Sequence, residues 1–153
     1  NGAHSALMIN ASQRVIFDHA GSYQIKSLPE SNDVIFGKTP QMEAYYVSYH
    51  ARETFYVVGQ KFLVSQDVAE QALALSLANG PVPKAGCTMA TSRLMAKLPG
   101  FQSIRSTFFP DRLQESVAQL PGVETTIYRE DDSDDKSVAA REINAEIRAA
   151  QSE

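Results

Sequence analysis

The sequence predicts an α+β fold in which an antiparallel sheet packs against helices. Two short apolar runs near the start, residues 5–9 and 14–18, are separated by the turn residues Asn10-Ala11-Ser12-Gln13, which is the pattern of a hairpin. Three later stretches open with helix-start chemistry, at Thr39-Pro40, Ser65 and Pro110. Residues 54–64 are dense in β-branched and aromatic side chains, which favour a strand.

In chain order, Ser5-Ala6-Leu7-Met8-Ile9 reads as a buried strand with His4 at its mouth. Its partner is Arg14-Val15-Ile16-Phe17-Asp18, ended by Ala20-Gly21-Ser22. Residues 23–38 carry turn signals at Pro29-Glu30-Ser31-Asn32-Asp33 and Gly37-Lys38 and read as irregular. Thr39 caps a helix that Pro40 opens and that runs to about residue 51. The strand over 54–64 follows, with Gly59 as a bulge or bend. Ser65 caps a helix over 66–79, stopped by Gly80.

The segment Pro81-Val82-Pro83-Lys84-Ala85-Gly86 cannot be helical, because two prolines and a glycine break it. From Thr88 onward Met89, Leu94, Met95 and Leu98 recur at helical spacing, up to Pro99-Gly100. Residues 100–107 read as loop or short strand. Pro110 opens a helix through Leu120 with Leu113, Val117 and Leu120 on one face, and residues 123–128 form a final strand. An acidic run over 130–135 reads as a solvated linker. Residues 137–150 have helical composition but only a thin apolar stripe of Val138, Ile143 and Ile147, so that helix needs a partner. The chain thus divides into a domain over 1–129 and a linker with a C-terminal helix over 130–153.

Composition narrows the function classes. At 153 residues and 43% hydrophobic content, the chain can bury a real core. A net charge of −4 with no basic cluster argues against a nucleic-acid partner. No run approaches the ~18 apolar residues of a membrane span. One cysteine excludes an internal disulfide and any all-cysteine metal site. The start, Asn1-Gly2-Ala3-His4, lacks an initiating methionine, from which we expect a removed leader or tether.

That single cysteine, Cys87, falls at a helix N-terminus, where free backbone N–H groups and the helix dipole favour an anion. A helix N-terminus and a nearby imidazolium are the two common ways to lower a thiol pKa. The plain alternative is a buried, inert thiol acting as a small hydrophobe.

Three stretches carry a family likeness: His4-Ser5-Ala6-Leu7-Met8-Ile9, Phe62-Leu63-Val64-Ser65 leading into a helix, and Ala85-Gly86-Cys87-Thr88-Met89-Ala90. A histidine strand that precedes the cysteine helix resembles the circularly permuted branch of the NlpC-type papain-like fold. That branch includes lecithin:retinol acyltransferase-like proteins and bacterial envelope hydrolases. The segment Phe108-Phe109-Pro110 with Leu113 looks like some bacterial members, and the likeness spans residues 3–128. Gly86 stands where many relatives carry asparagine.

The resemblance implies that Cys87 is the nucleophile and His4 the base that takes its proton. A third group orients the imidazole, either Asp18 or, as an alternative, its neighbour His19. The backbone N–H of Cys87, helped by Thr88, would meet the oxyanion. The product is a thioester acyl-enzyme, from which both hydrolase and acyltransferase outcomes remain open, on an amide or an ester. The relatives suggest cell-wall peptide or lipid as the acyl substrate, and the acidic balance leans toward peptide. They also suggest the periplasm or cell envelope, and no cofactor.

Other readings compete. A non-catalytic binding or structural subunit of the same fold would use the C-terminal helix to hold a protein partner. A redox or lipid-carrying thiol at Cys87 is a third. His50, near a helix end, reads as a cap on the dipole. Tyr45, Tyr46 and Tyr49 read as core or groove wall. Three histidines and one cysteine show no pair at metal-ligand spacing, so no metal site is expected.

Overall fold

Val15, Ile16 and Phe17 organise the molecule, because a strand turns neighbouring side chains to opposite faces and all three are buried here. A sheet built around them must therefore be covered on both sides. The computed structural model describes residues 4–18, 30–31, 34–51, 55–83 and 85–129, with 145, 148 and 149 of the tail.

β1 (Leu7–Asn10) and β2 (Arg14–Phe17) form the expected antiparallel hairpin, with Leu7 opposite Phe17 and Asn10 opposite Arg14. β3 (Glu30–Ser31) and β4 (Val34–Phe36) complete a four-stranded sheet in the order β1-β2-β4-β3. Within 23–38, read as irregular, this corrects residues 30–31 and 34–36, whereas 23–29 and 32–33 lie outside the described residues. Val34-Ile35-Phe36 is too short an apolar run, set between turn residues, to show a strand period, and only its pairing with β2 and β3 makes it one.

α1 (Pro40–His50) covers one face. Its packing partners are Ile16 and Ile35, which meet Tyr46 and Tyr49. The opposite face carries Ile9, Val15, Phe17 and Val34 against α2 (Gln66–Ala78), α3 (Cys87–Ala96) and α4 (Pro110–Ala118). Both expected caps are present: the Thr39 hydroxyl accepts from the Met42 N–H at 3.2 Å and the Ser65 hydroxyl from the Val68 N–H at 3.3 Å.

The expected strand over 54–64 contracts to β5 (Val57–Lys61), and residues 62–65 run on without strand pairing. β5 pairs antiparallel with β6 (Glu124–Tyr128) in a separate two-stranded sheet. Two antiparallel sheets therefore stand where one was expected. Gly59 is in regular register opposite Thr126 rather than at the expected bulge, and the Tyr128 ring lies diagonally over it, 3.1 Å from where a Cβ would be. α3 and α4 each end about two residues early, in tight turns rather than at Leu98 and Leu120. Residues 101–107 form turns and coil.

His19, the acidic run over 130–135 and nearly all of the expected helix over 137–150 lie outside the described residues, and with them the expected domain boundary. Among the described residues no helix is long and apolar enough to cross a membrane.

Candidate active site

The hairpin register brings His4 and Asp18 to one end of the sheet, because Leu7 faces Phe17 and each residue lies just beyond its strand. Strand alternation then directs Asp18. Ile16 faces α1, so Asp18, two residues on, turns the same way and is buried there. Its Oδ2 accepts a hydrogen bond from the Tyr46 hydroxyl at 2.5 Å. Its Oδ1 lies 2.9 Å from His4 Nε2, a close charge contact that is not aligned as a linear hydrogen bond.

Cys87 reaches the same end from the other side of the sheet. The loop before it is tight: Ala85 is left-handed at φ 67°, and the Gly86 N–H donates to the Pro83 carbonyl at 3.0 Å. A Cβ on Gly86 would sit 2.6 Å from Val82 Cγ1 and 3.0 Å from the Pro83 oxygen, so no asparagine fits without movement. Gly86 is the N-cap, and Cys87 is the first residue of α3. The first helical bond runs from the Ala90 N–H to the Gly86 carbonyl, so the amides of Cys87 and Thr88 have no acceptor within the helix.

His4 lies within hydrogen-bonding reach of the Cys87 sulfur. With Nε2 turned to Asp18, Nδ1 is the nitrogen left for the thiol. The Ser5 backbone amide lies near enough to the sulfur to favour its anion. Thr88, fully buried, has its hydroxyl 3.0 Å from that of Ser5 and 3.8 Å from the sulfur. Cys87 itself remains partly accessible.

These contacts shift both groups. The Cys87 thiol is lowered from 9.0 to about 7, chiefly by the hydrogen bond to His4. Burial opposes that, while the Ser5 amide, the Thr88 hydroxyl and the charge of His4 assist it. For His4, burial is the largest single influence and pulls its pKa down. The close polar contacts and charges of Asp18 and Cys87 together outweigh it and raise the imidazole from 6.5 to about 9. Between those values the favoured state is a thiolate beside an imidazolium.

Two residues at this end were not singled out by their sequence context. Tyr46 looked like core and is core, yet its hydroxyl holds Asp18. His50 does bind the helix end, with Nδ1 2.8 Å from the Tyr46 carbonyl. Its ring also stacks on His4, centroids 5.8 Å apart and 20° between planes, and packs on Tyr46 and Tyr49. The available signal was their i, i+4 spacing, which puts both on one face of α1.

No metal-ligand spacing exists in the sequence, but the fold makes its own: ligand atoms of His4, Asp18 and His50 all lie within 4.8 Å of one another. The chain matches no protein-family model, no curated protein and no solved structure.

Proposed function

We propose that this protein is a cysteine enzyme that cleaves or transfers acyl groups from amides or esters, with Cys87 as nucleophile and His4 as its proton partner. The observation that supports it most is the meeting of Cys87, at the start of α3, with His4, itself 2.9 Å from Asp18, an arrangement that pushes the thiol down and the imidazole up. A buried structural cysteine has no need of an imidazole, an amide donor and a free helix N-terminus around its sulfur.

In this reading the thiolate attacks the substrate carbonyl and forms the C–S bond. The tetrahedral oxyanion is met by the amides of Cys87 and Thr88. Collapse breaks the bond to the leaving amine or alcohol, which takes the proton from the imidazolium of His4. The thioester is then resolved by water or a second nucleophile, whose proton returns to His4. Asp18 holds the ring and balances its charge, and Tyr46 holds Asp18. The resemblance of the sequence to permuted NlpC-type enzymes makes cell-wall peptides the first substrates to try and the bacterial envelope the proposed setting.

The test is the pH dependence of Cys87 alkylation by iodoacetamide, with Cys87→Ser as blank. The expected midpoint is about 7. It should move up toward the free-thiol value of ~8.5 in His4→Ala. A wild-type midpoint already at the free value, or no labelling before unfolding, would leave a structural cysteine and turn attention to a binding role. Turnover of a peptide substrate should show a bell between about 7, below which the thiolate is protonated, and about 9, above which His4 loses its acid proton.

A further inference from the structure

We propose that His4, Asp18 and His50 form a binding site for a first-row divalent cation of the zinc type, held by His4 Nε2, the Asp18 carboxylate and His50 Nε2. Three separate pieces of chain converge here: the lead into β1, the exit from β2 and the last residue of α1. Their ligand atoms lie within 4.8 Å of one another. Tetrahedral zinc, with bonds of about 2.0–2.2 Å, needs donors roughly 3.4 Å apart. His4 Nε2 and Asp18 Oδ1, 2.9 Å apart, have to open by about half an ångström, and His50 has to close in from within 4.8 Å, both by side-chain rotation.

The donor set and its supports fit a metal. Two imidazole nitrogens with one carboxylate oxygen suit zinc and its neighbours rather than calcium or magnesium. His50 Nδ1 sits 2.8 Å from the Tyr46 carbonyl, which can only accept, so Nδ1 carries the hydrogen and a neutral ring presents a lone pair at Nε2. This is the usual outer support of a metal-bound histidine. Tyr46 likewise anchors the carboxylate through Oδ2. One residue thus braces two of the three ligands, by its carbonyl and by its hydroxyl. His4 Nε2 is buried and 2.9 Å from Asp18 Oδ1, yet the two are not aligned on each other. Neighbouring donors that point past one another are suited to a shared third centre.

The consequence follows from the two faces of one ring, and it rests on Cys87 being the nucleophile, whereas the site itself does not. A cation on Nε2 leaves the hydrogen on Nδ1, toward the thiol. When the ring starts as imidazolium, the Nε2 proton goes to solvent. The Nδ1–H and the positive charge still face the sulfur, so the thiolate persists, but the ring has no free nitrogen to take a proton from the resolving nucleophile and gives up its own to a leaving group only by becoming an imidazolate. A bound cation is therefore a reversible off-state of the enzyme.

The experiment uses the full chain stripped of metal with a chelator. Calorimetric titration with zinc should give one ion per chain. Binding should persist in Cys87→Ser and weaken by about ten-fold or more in His50→Ala. Circular dichroism and a melt verify that each variant is folded. Cobalt in place of zinc should give visible ligand-field bands without a sulfur-to-cobalt charge-transfer band, in wild type and in Cys87→Ser alike. That readout decides the matter if His50→Ala fails to fold. No saturable binding, undiminished binding in a folded His50→Ala, or a sulfur charge-transfer band would each overturn the site. Zinc should leave Cys87 open to iodoacetamide near pH 7 but stop turnover of p-nitrophenyl acetate, and excess chelator should restore it; undiminished turnover by the zinc-bound protein overturns the off-state. The nucleophile reading is tested separately, in the metal-free protein.

Discussion

Asp18 shows how much chemistry a single residue can carry when its two oxygens have different partners. Oδ1 faces the imidazole and Oδ2 takes the Tyr46 hydroxyl. Asp18→Asn removes the charge that favours the imidazolium, so the thiol midpoint should rise and labelling near pH 7 should slow. Tyr46→Phe keeps the charge but removes a buried donor, at a cost of about 1–3 kcal/mol in urea denaturation. Its midpoint should stay nearer to wild type than that of Asp18→Asn. Equal pH profiles for Asp18→Asn and wild type would remove Asp18 from the site. His4, Cys87 and Asp18 were legible because each lies at the end of an element, where a polar side chain beside an apolar run needs a reason. Tyr46 and His50 were not, because their place inside α1 has meaning only once the face it turns to the sheet is known.

The loop into α3 is the element whose geometry bears most directly on the sulfur. Pro81, Pro83 and Gly86 announce a break, and Thr88 onward announces a helix, so the transition could be read directly. The close approach of Val82 and Pro83 to Gly86 could not, since it depends on how the loop folds back on itself. Gly86→Ala must push either Val82 or the backbone aside, which should destabilise the protein by about 1–3 kcal/mol. Cys87 should also be displaced from the Ser5 amide. A urea titration with labelling kinetics checks both, and unchanged values in each would mean that the loop yields freely. Elements with caps, such as α1 and α2, matched expectation because their signals are local. β4 did not, because three residues carry no period and a strand is defined by what it pairs with.

Across the whole molecule, the covering of both faces of β2 links stability to the site. Val15 and Phe17 pack toward α2, α3 and α4, while Ile16 packs toward α1. The same two layers deliver Cys87 from one side and Tyr46 with His50 from the other. Phe17→Ala empties a fully buried position next to Asp18 and should cost about 3–5 kcal/mol. Against a typical total of ~5–15 kcal/mol, that leaves a marginal fold. Its urea midpoint should fall sharply, and Cys87 should lose its lowered midpoint as the sheet end loosens. A variant with full stability would show that α3 and α4 are held by other contacts than those on Phe17.

Residue types, turn signals and caps were enough to establish the α+β class, the hairpin and the helix starts, and to mark Cys87 and the distant His4 as candidates. All of these follow from local physics, since a cap, a break or a hairpin acts within a few residues. The packing of two layers on one sheet decided the rest. It divided the strands between two sheets, chose the partner of Asp18, and stacked His50 on His4. Each of these pairs residues distant in the chain, and such pairing is set by which apolar faces bury one another, a property that no local window contains.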